Sequence, residues 1–331
     1  MTTDRAPIDD DRRIDIRGLS KRFGAVVAVD DLTFSVSSGR VTGFLGPNGA
    51  GKTTTLRMLL GLVHPTAGTA TIGGHDYAEL ADPLRQVGAG LDGSSFHPGR
   101  TARDHLHWVC VAGGIPTSRS DEVLSLVGLA EAADRRVGGF SLGMRQRLSL
   151  AGALLGDPGV LLLDEPANGL DPEGIAWLRG FLRHLAAEGR TVLISSHVLS
   201  EVQQTVDDVV IIARGRLVHT GPLRGLAGEP GTLVRSPDAD VLQPALARTG
   251  LVVERDADGL VVRGASPQEV GDVAHAVGAR LHLLSRTEDD LETAFLRMVS
   301  EAERAGEMAQ HLPAASPTPV VAGTERSGGA S

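Results

Sequence analysis

Short apolar runs separated by glycine, proline and polar residues dominate the chain from Ile14 to about Thr220. Val41–Leu45, Val160–Leu163 and Thr191–Ser195 are short, mainly apolar runs followed by glycine or polar residues. Runs of that length predict strands buried on both faces, as in a parallel sheet. Helical periodicity lies between them at Thr53–Leu60, Ile175–Glu188 and Val198–Val206. The alternation predicts an α/β fold in which helices cover a parallel sheet. Residues 101–156 carry helical periodicity with little strand signal, which predicts a helical subdomain, about 93–156, between two strands of the sheet.

After Gly221-Pro222 the pattern changes. Thr232–Arg235, Leu251–Glu254, Leu260–Arg263 and Leu281–Leu284 read as strands, with Asp256-Ala257-Asp258-Gly259 as a hairpin turn. Helical stretches fall at Pro267–Val277 and Asp289–Val299. The order β-α-β-β-α-β resembles a split βαβ unit. The domains expected are a disordered acidic lead-in over 1–11, a main α/β domain over 12–222, and a small α+β domain over 223–300. The Ala, Pro, Ser and Gly-rich end predicts a disordered tail over 301–331.

Composition narrows the function. A net charge of −9 argues against a general nucleic-acid binder, so no nucleic-acid partner is expected. The single cysteine, Cys110, suits a reducing cytoplasm. The first residues lack a secretory signal pattern, and no apolar run approaches the roughly 18 residues that span a bilayer. Lysine occurs only at Lys21 and Lys52, the other cationic positions being arginine.

Lys52 stands in Gly46-Pro47-Asn48-Gly49-Ala50-Gly51-Lys52-Thr53, which satisfies G-x-x-x-x-G-K-[ST]. Glycines let backbone N–H groups wrap a polyphosphate, Lys52 places a point charge on its terminal phosphates, and Thr53 can ligate Mg²⁺. The loop joins an apolar strand to a helix whose N-terminus favours anions. A chance glycine-rich turn is the bland alternative, and the strand-to-helix context argues against it. In Val160-Leu161-Leu162-Leu163-Asp164-Glu165-Pro166 a buried strand ends in two carboxylates, where open α/β sheets place their ligands. Asp164 can hold Mg²⁺ and Glu165 can accept a proton from attacking water.

With these two motifs the chain resembles the ABC-type ATPases. Phe140-Ser141-Leu142-Gly143-Met144-Arg145-Gln146-Arg147 is similar to the ABC signature, with Leu142 where glycine is commonest. Asn168-Gly169-Leu170-Asp171 resembles the D-loop, and Ser195-Ser196-His197 the switch histidine. Ser20-Lys21-Arg22-Phe23-Gly24 resembles the segment whose aromatic stacks on adenine. The resemblance implies a P-loop NTPase core with a parallel sheet, antiparallel N-terminal strands, an inserted helical subdomain and a small α+β C-terminal unit. It implies ATP and Mg²⁺ as ligands, with Glu165 and His197 catalytic. Nucleotide contacts would come from Phe23, Gly46, Pro47, Asn48, Gly49, Ala50, Gly51, Lys52, Thr53, Thr54, Ser141, Gly143 and Asp171. Metal contacts would come from Thr53, Asp92 and Asp164, with Asp92 at the position of the family's glutamine. An acid there, and the Ser-Leu-Gly-Met signature, resemble the bacitracin-type exporters; Asp290–Leu296 resembles the close of ABC-2 type exporter ATPases.

The implied partners are a separate transmembrane permease and, on ATP binding, a second copy or another cassette. The implied location is the cytoplasmic face of the membrane. ABC proteins acting on DNA or ribosomes carry long coiled-coil insertions, second cassettes or zinc cysteines, and this sequence has none of these. Gly139-Phe140-Ser141-Leu142-Gly143 fits the hydrolase nucleophile elbow, but a polar loop precedes it where that motif needs a buried strand. Gly88 to Gly93 fits G-x-G-x-x-G without opening a helix. His105 and His107 are two apart and fall on different helix faces, a poor metal pair.

Overall fold

The computed structural model describes residues 12–91, 96–226, 231–256, 259–287 and 291–311. The expected lead-in over 1–11 and the residues from 312 onward therefore lie outside it. The chain begins with β1 (Ile14–Phe23) and β2 (Val26–Val36), an antiparallel hairpin, followed by β3 (Arg40–Leu45) and α1 (Lys52–Leu59). β4 (Ala67–Ile72) pairs with β1, giving a sheet of order β2-β1-β4. Then come α2 (Pro83–Gln86) and β5 (Val87–Gly90), and the helices α3 (Ala102–Ala112), α4 (Arg119–Leu126) and α5 (Leu142–Leu154). β6 (Val160–Leu163), α6 (Pro172–Ala187), β7 (Thr191–Ser196), α7 (Leu199–Val202), β8 (Asp208–Ala213) and β9 (Arg216–Pro222) complete the main domain.

The central sheet has the order β5-β6-β7-β3-β8-β9 and is parallel except for β9. Its buried strands separate two apolar layers by simple alternation. Val41, Leu45, Leu161, Leu163, Val192 and Ile194 face a core shared with α5 and α6. Phe44, Leu162, Leu193, Val210 and Ile212 face a core shared with α1 and the antiparallel sheet. Because the strands are covered on both sides, their apolar residues run consecutively, as the sequence pattern requires.

β5 and β6 are neighbours in the sheet, with the three helices α3 to α5 inserted between them. Gly88 allows α5 to lie directly on β5, since a Cβ there would stand 2.0 Å from the carbonyl oxygen of Ala153. That close seat fixes the inserted subdomain to the sheet.

The C-terminal part contains β10 (Gly231–Arg235), α8 (Ala239–Arg248), β11 (Val252–Asp256), β12 (Gly259–Arg263), α9 (Pro267–Ala276), β13 (Leu283–Thr287) and α10 (Leu291–His311). Its sheet has the order β11-β12-β10-β13 with every neighbouring pair antiparallel, the split βαβ arrangement. Val234, Leu242, Leu246, Leu260, Val262 and Val270 form its own core.

The expected boundary at residue 300 needs correction. α10 continues to His311, where the sequence reading placed a disordered tail. Residues 301–311 contain several strong helix formers, including Glu, Ala, Met and Gln, and Ala302 extends the apolar stripe of Leu291, Phe295, Met298 and Val299. That stripe joins the core of the main domain, near Leu199, Val202 and Val206, rather than the core of the C-terminal sheet. α10 therefore returns the chain to α7, β8 and β9. Phe295→Ala is expected to lower unfolding stability by about 3 kcal/mol, the scale of a buried Phe truncation; denaturant titration of the full chain measures it.

Candidate functional site

Parallel strands end at one edge of a sheet, and the order of this sheet decides what meets there. β7 lies between β3 and β6. The glycine-rich loop after β3, Ser195 to His197 at the end of β7, and Asp164 and Glu165 after β6 therefore converge.

The loop is held by backbone contacts on both sides. Gly46 N–H donates to the Ser196 carbonyl at 3.3 Å, and Gly215 N–H donates to the Ala50 carbonyl at 2.9 Å. A Cβ on Gly46 would stand 2.2 Å from the Ile212 carbonyl oxygen, and one on Gly51, at φ 107°, would stand 2.5 Å from the Ala28 carbonyl oxygen. Neither position admits a side chain. Residues 48–54, with Ala28 and Glu165, line a cavity of about 240 Å³.

Lys52 is 6% exposed, and its ammonium donates to the carbonyls of Gly46 at 2.6 Å and Pro47 at 3.3 Å. It lies 3.6 Å from Glu165 Oε1. Burial pushes its pKa down, while Glu165 and Asp164 push it back up. A nearly buried cation with two neighbouring carboxylates is ready to exchange a carbonyl for a phosphate oxygen.

Asp164 joins three elements. Its Oδ2 accepts a hydrogen bond of 2.7 Å from Thr53 Oγ1, the second residue of α1. Its Oδ1 accepts one from the Ser195 hydroxyl on β7. The same Ser195 oxygen accepts the Glu165 N–H at 2.9 Å. Glu165 has φ 50°, in the left-handed region that non-glycine residues seldom occupy. Besides Ser195, its carbonyl is held by Gln146 Nε2 at 3.3 Å and by Asn168 N–H at 3.1 Å. Its Oε2 lies 2.9 Å from His197 Nδ1. Thus Lys52, Glu165 and His197 form one polar row above the loop.

Oxygen donors suit a hard cation such as Mg²⁺. Thr53 donates its proton to Asp164, which leaves the hydroxyl lone pairs for a cation. Among the described residues no group of three or more His, Cys, Asp or Glu could hold a metal by itself. Thr53 and Asp164 fit an ion whose remaining ligands are phosphate oxygens and water. Asp92 lies outside the described residues.

Other candidates sit apart from this cavity. Ser141 caps α5 by accepting the Met144 N–H at 3.2 Å. Gly143 lies against the Gly169 carbonyl, and the Leu142 side chain covers Gly169, so the signature and the D-loop touch. Asp171 caps α6 by accepting the Gly174 N–H at 2.9 Å. None of Ser141, Gly143 or Asp171 lines the cavity beside the loop. Phe23 ends β1 and is half exposed. Sequence reasoning gave no role to Ser195 or Gln146, although both stood inside quoted motifs. Their partners are the backbone and carboxylate of residues 164 and 165, which only the folded strand ends reveal.

Comparison with known proteins follows this geometry. Residues 29–168 match the ABC transporter family, and residues 230–292 match a domain of unknown function. The bacitracin transport ATP-binding protein BcrA of Bacillus licheniformis is 46% identical over 207 residues, covering 62% of this chain and 68% of that protein. The protein of the same name from Enterococcus faecalis is 33% identical over 298 residues, 86% of this chain and 96% of that one. Its match extends into the C-terminal domain. A dimeric, post-hydrolysis structure of the ATP-binding cassette MJ0796, bound to ADP and Pi, shares the fold at TM-score 0.59 and 22% identity, covering 64% of this chain and 99% of that one. The loop around Lys52, the carboxylate pair after β6 and these likenesses lead to one conclusion: the chain belongs to the ATP-binding subunits of ABC transporters.

Proposed function

We propose that this ATP-binding subunit hydrolyses Mg²⁺-ATP in a site completed by a second cassette, and uses the cycle to drive export through a separate membrane permease. The observation that carries this reading is the row Lys52, Glu165 and His197 above the loop cavity. In this reading the loop amides and Lys52 hold the β- and γ-phosphates. Thr53 and Asp164 would hold Mg²⁺, which offsets phosphate charge when bound. Glu165 takes the proton of the attacking water as the new O–P bond forms and ADP departs. His197 orients Glu165 through Nδ1 and keeps Nε2 for a phosphate oxygen.

Ser141 and Gly143 lie at the start of α5, a 13-residue helix, where N–H groups favour an anion. Their absence from the cavity of their own chain supports service to nucleotide on a second copy or another cassette. The MJ0796 cassette, dimeric with ADP and Pi bound, favours pairing of two cassettes. No described helix is long and apolar enough to cross a membrane, which fits a permease on another polypeptide. The inserted subdomain exposes Trp108 at 59% and Val111 at 73%, apolar surface suited to that partner. The complex would place this subunit on the cytoplasmic face. Of the drug, antibiotic and lipid-like cargoes expected, the names of the bacitracin transport relatives favour an antibiotic.

Lys52→Ala is expected to abolish tight ATP binding in a direct titration; micromolar affinity in the variant would sink the loop assignment. Glu165→Gln is expected to bind ATP while turnover falls by about 10² or more. It should also accumulate a nucleotide-bound dimer on sizing chromatography with ATP. A monomeric Glu165→Gln variant turning over at wild-type rate contradicts both the base and the dimer.

A further inference from the structure

Only two lysines occur in a chain that otherwise uses arginine for its cations, and Lys21 is the one not accounted for by phosphate. Lys21 and Phe23 are two positions apart on β1, a spacing that puts side chains on one side of a strand. The Lys21 ammonium stands over the Phe23 ring, 4.9 Å from its centroid. It is pinned there by a hydrogen bond of 2.7 Å to the His64 carbonyl, in the connection between α1 and β4. Phe23 is 50% exposed, so ring surface remains open.

The hairpin that carries this pair also forms a wall of the phosphate cavity. The β1–β2 register slips at Ala28, with Lys21 opposite Val29 and Arg22 opposite Val27. Ala28 lines the cavity, and its carbonyl is the group that excludes a side chain from Gly51. Phosphate wall and aromatic ring are thus parts of one bulged hairpin.

We propose that Lys21 is a positioning and specificity residue for the base of the bound nucleoside triphosphate. A compact ammonium fits between one carbonyl and one ring face, whereas a planar guanidinium would spread across the ring. A cation on one face draws electron density toward it and leaves the opposite face better matched to an electron-rich purine. Stacking alone accepts any base; the fixed, polarised ring adds a preference for the larger and more electron-rich ones. The proposal rests on the reading that Phe23 stacks on the base. A purely structural Lys21, bracing β1 against the α1–β4 connection, would change stability without separating nucleotides from base-free polyphosphate.

The test titrates ATP and inorganic tripolyphosphate, with EDTA to prevent turnover, into the full chain and its Lys21→Met, Phe23→Ala and double variants. Lys21→Met is expected to weaken ATP by about two- to fivefold, the scale of an exposed cation–π contact, with tripolyphosphate unchanged. Lys21→Met should add nothing in the Phe23→Ala background. Tripolyphosphate binding also reports that each variant is folded. Equal weakening of ATP and tripolyphosphate by Lys21→Met overturns the proposal, as does no change in either while Phe23→Ala still weakens ATP. If Phe23→Ala leaves ATP binding intact, the stacking reading itself fails.

Discussion

Asp164 accepts hydrogen bonds from the first turn of α1 and from the end of β7 while itself following directly on β6. Those bonds tie three separate chain segments into one polar floor. Without the carboxylate, Thr53 and Ser195 would each face a cavity with one partner fewer, and Glu165 would lose part of what holds its left-handed backbone. The glycine-rich loop depends on the same floor, because Lys52 and Thr53 are consecutive residues.

From this floor the structure extends in two directions. Gln146 on α5 holds the Glu165 carbonyl, and α5 rests directly on β5 through Gly88. The head of α5, with Ser141 and Gly143, is therefore tied through Gln146 to the backbone of Glu165. In the other direction, His197 leads into α7, and α7 packs against α10 at the far end of the chain. The C-terminal domain thus reaches the sheet edge that carries His197 through one helix that shares the core of the main domain. These connections are mechanical ones between packed elements.

Much of this was legible in the residues. Val41–Leu45, Val160–Leu163 and Thr191–Ser195 announced themselves because parallel strands are buried on both faces and show no alternation. The loop motif carried its own geometry, since Gly46 and Gly51 stand where backbone carbonyls leave no room for a Cβ. The length of α10 was not legible. Its polar outer face reads as tail by composition, while its packing stripe has meaning only once α7 and β8 are in place. Ser195 was quoted but not assigned, because a serine at a strand end has no role until the neighbouring strand supplies its partner. The apposition of Leu142 and Gly169 likewise depends on two loops meeting in space.

The most direct test of this account is the Mg²⁺ dependence of ATP affinity in Asp164→Asn, compared with the wild-type chain. Nucleotide binding is titrated with EDTA and then with Mg²⁺ at concentrations where turnover is negligible. The account predicts that Mg²⁺ strengthens ATP binding to the wild type and gives the variant little gain over its own affinity in EDTA. An equal Mg²⁺ enhancement in both proteins would contradict the placement of Thr53 and Asp164 as the residues that hold the ion.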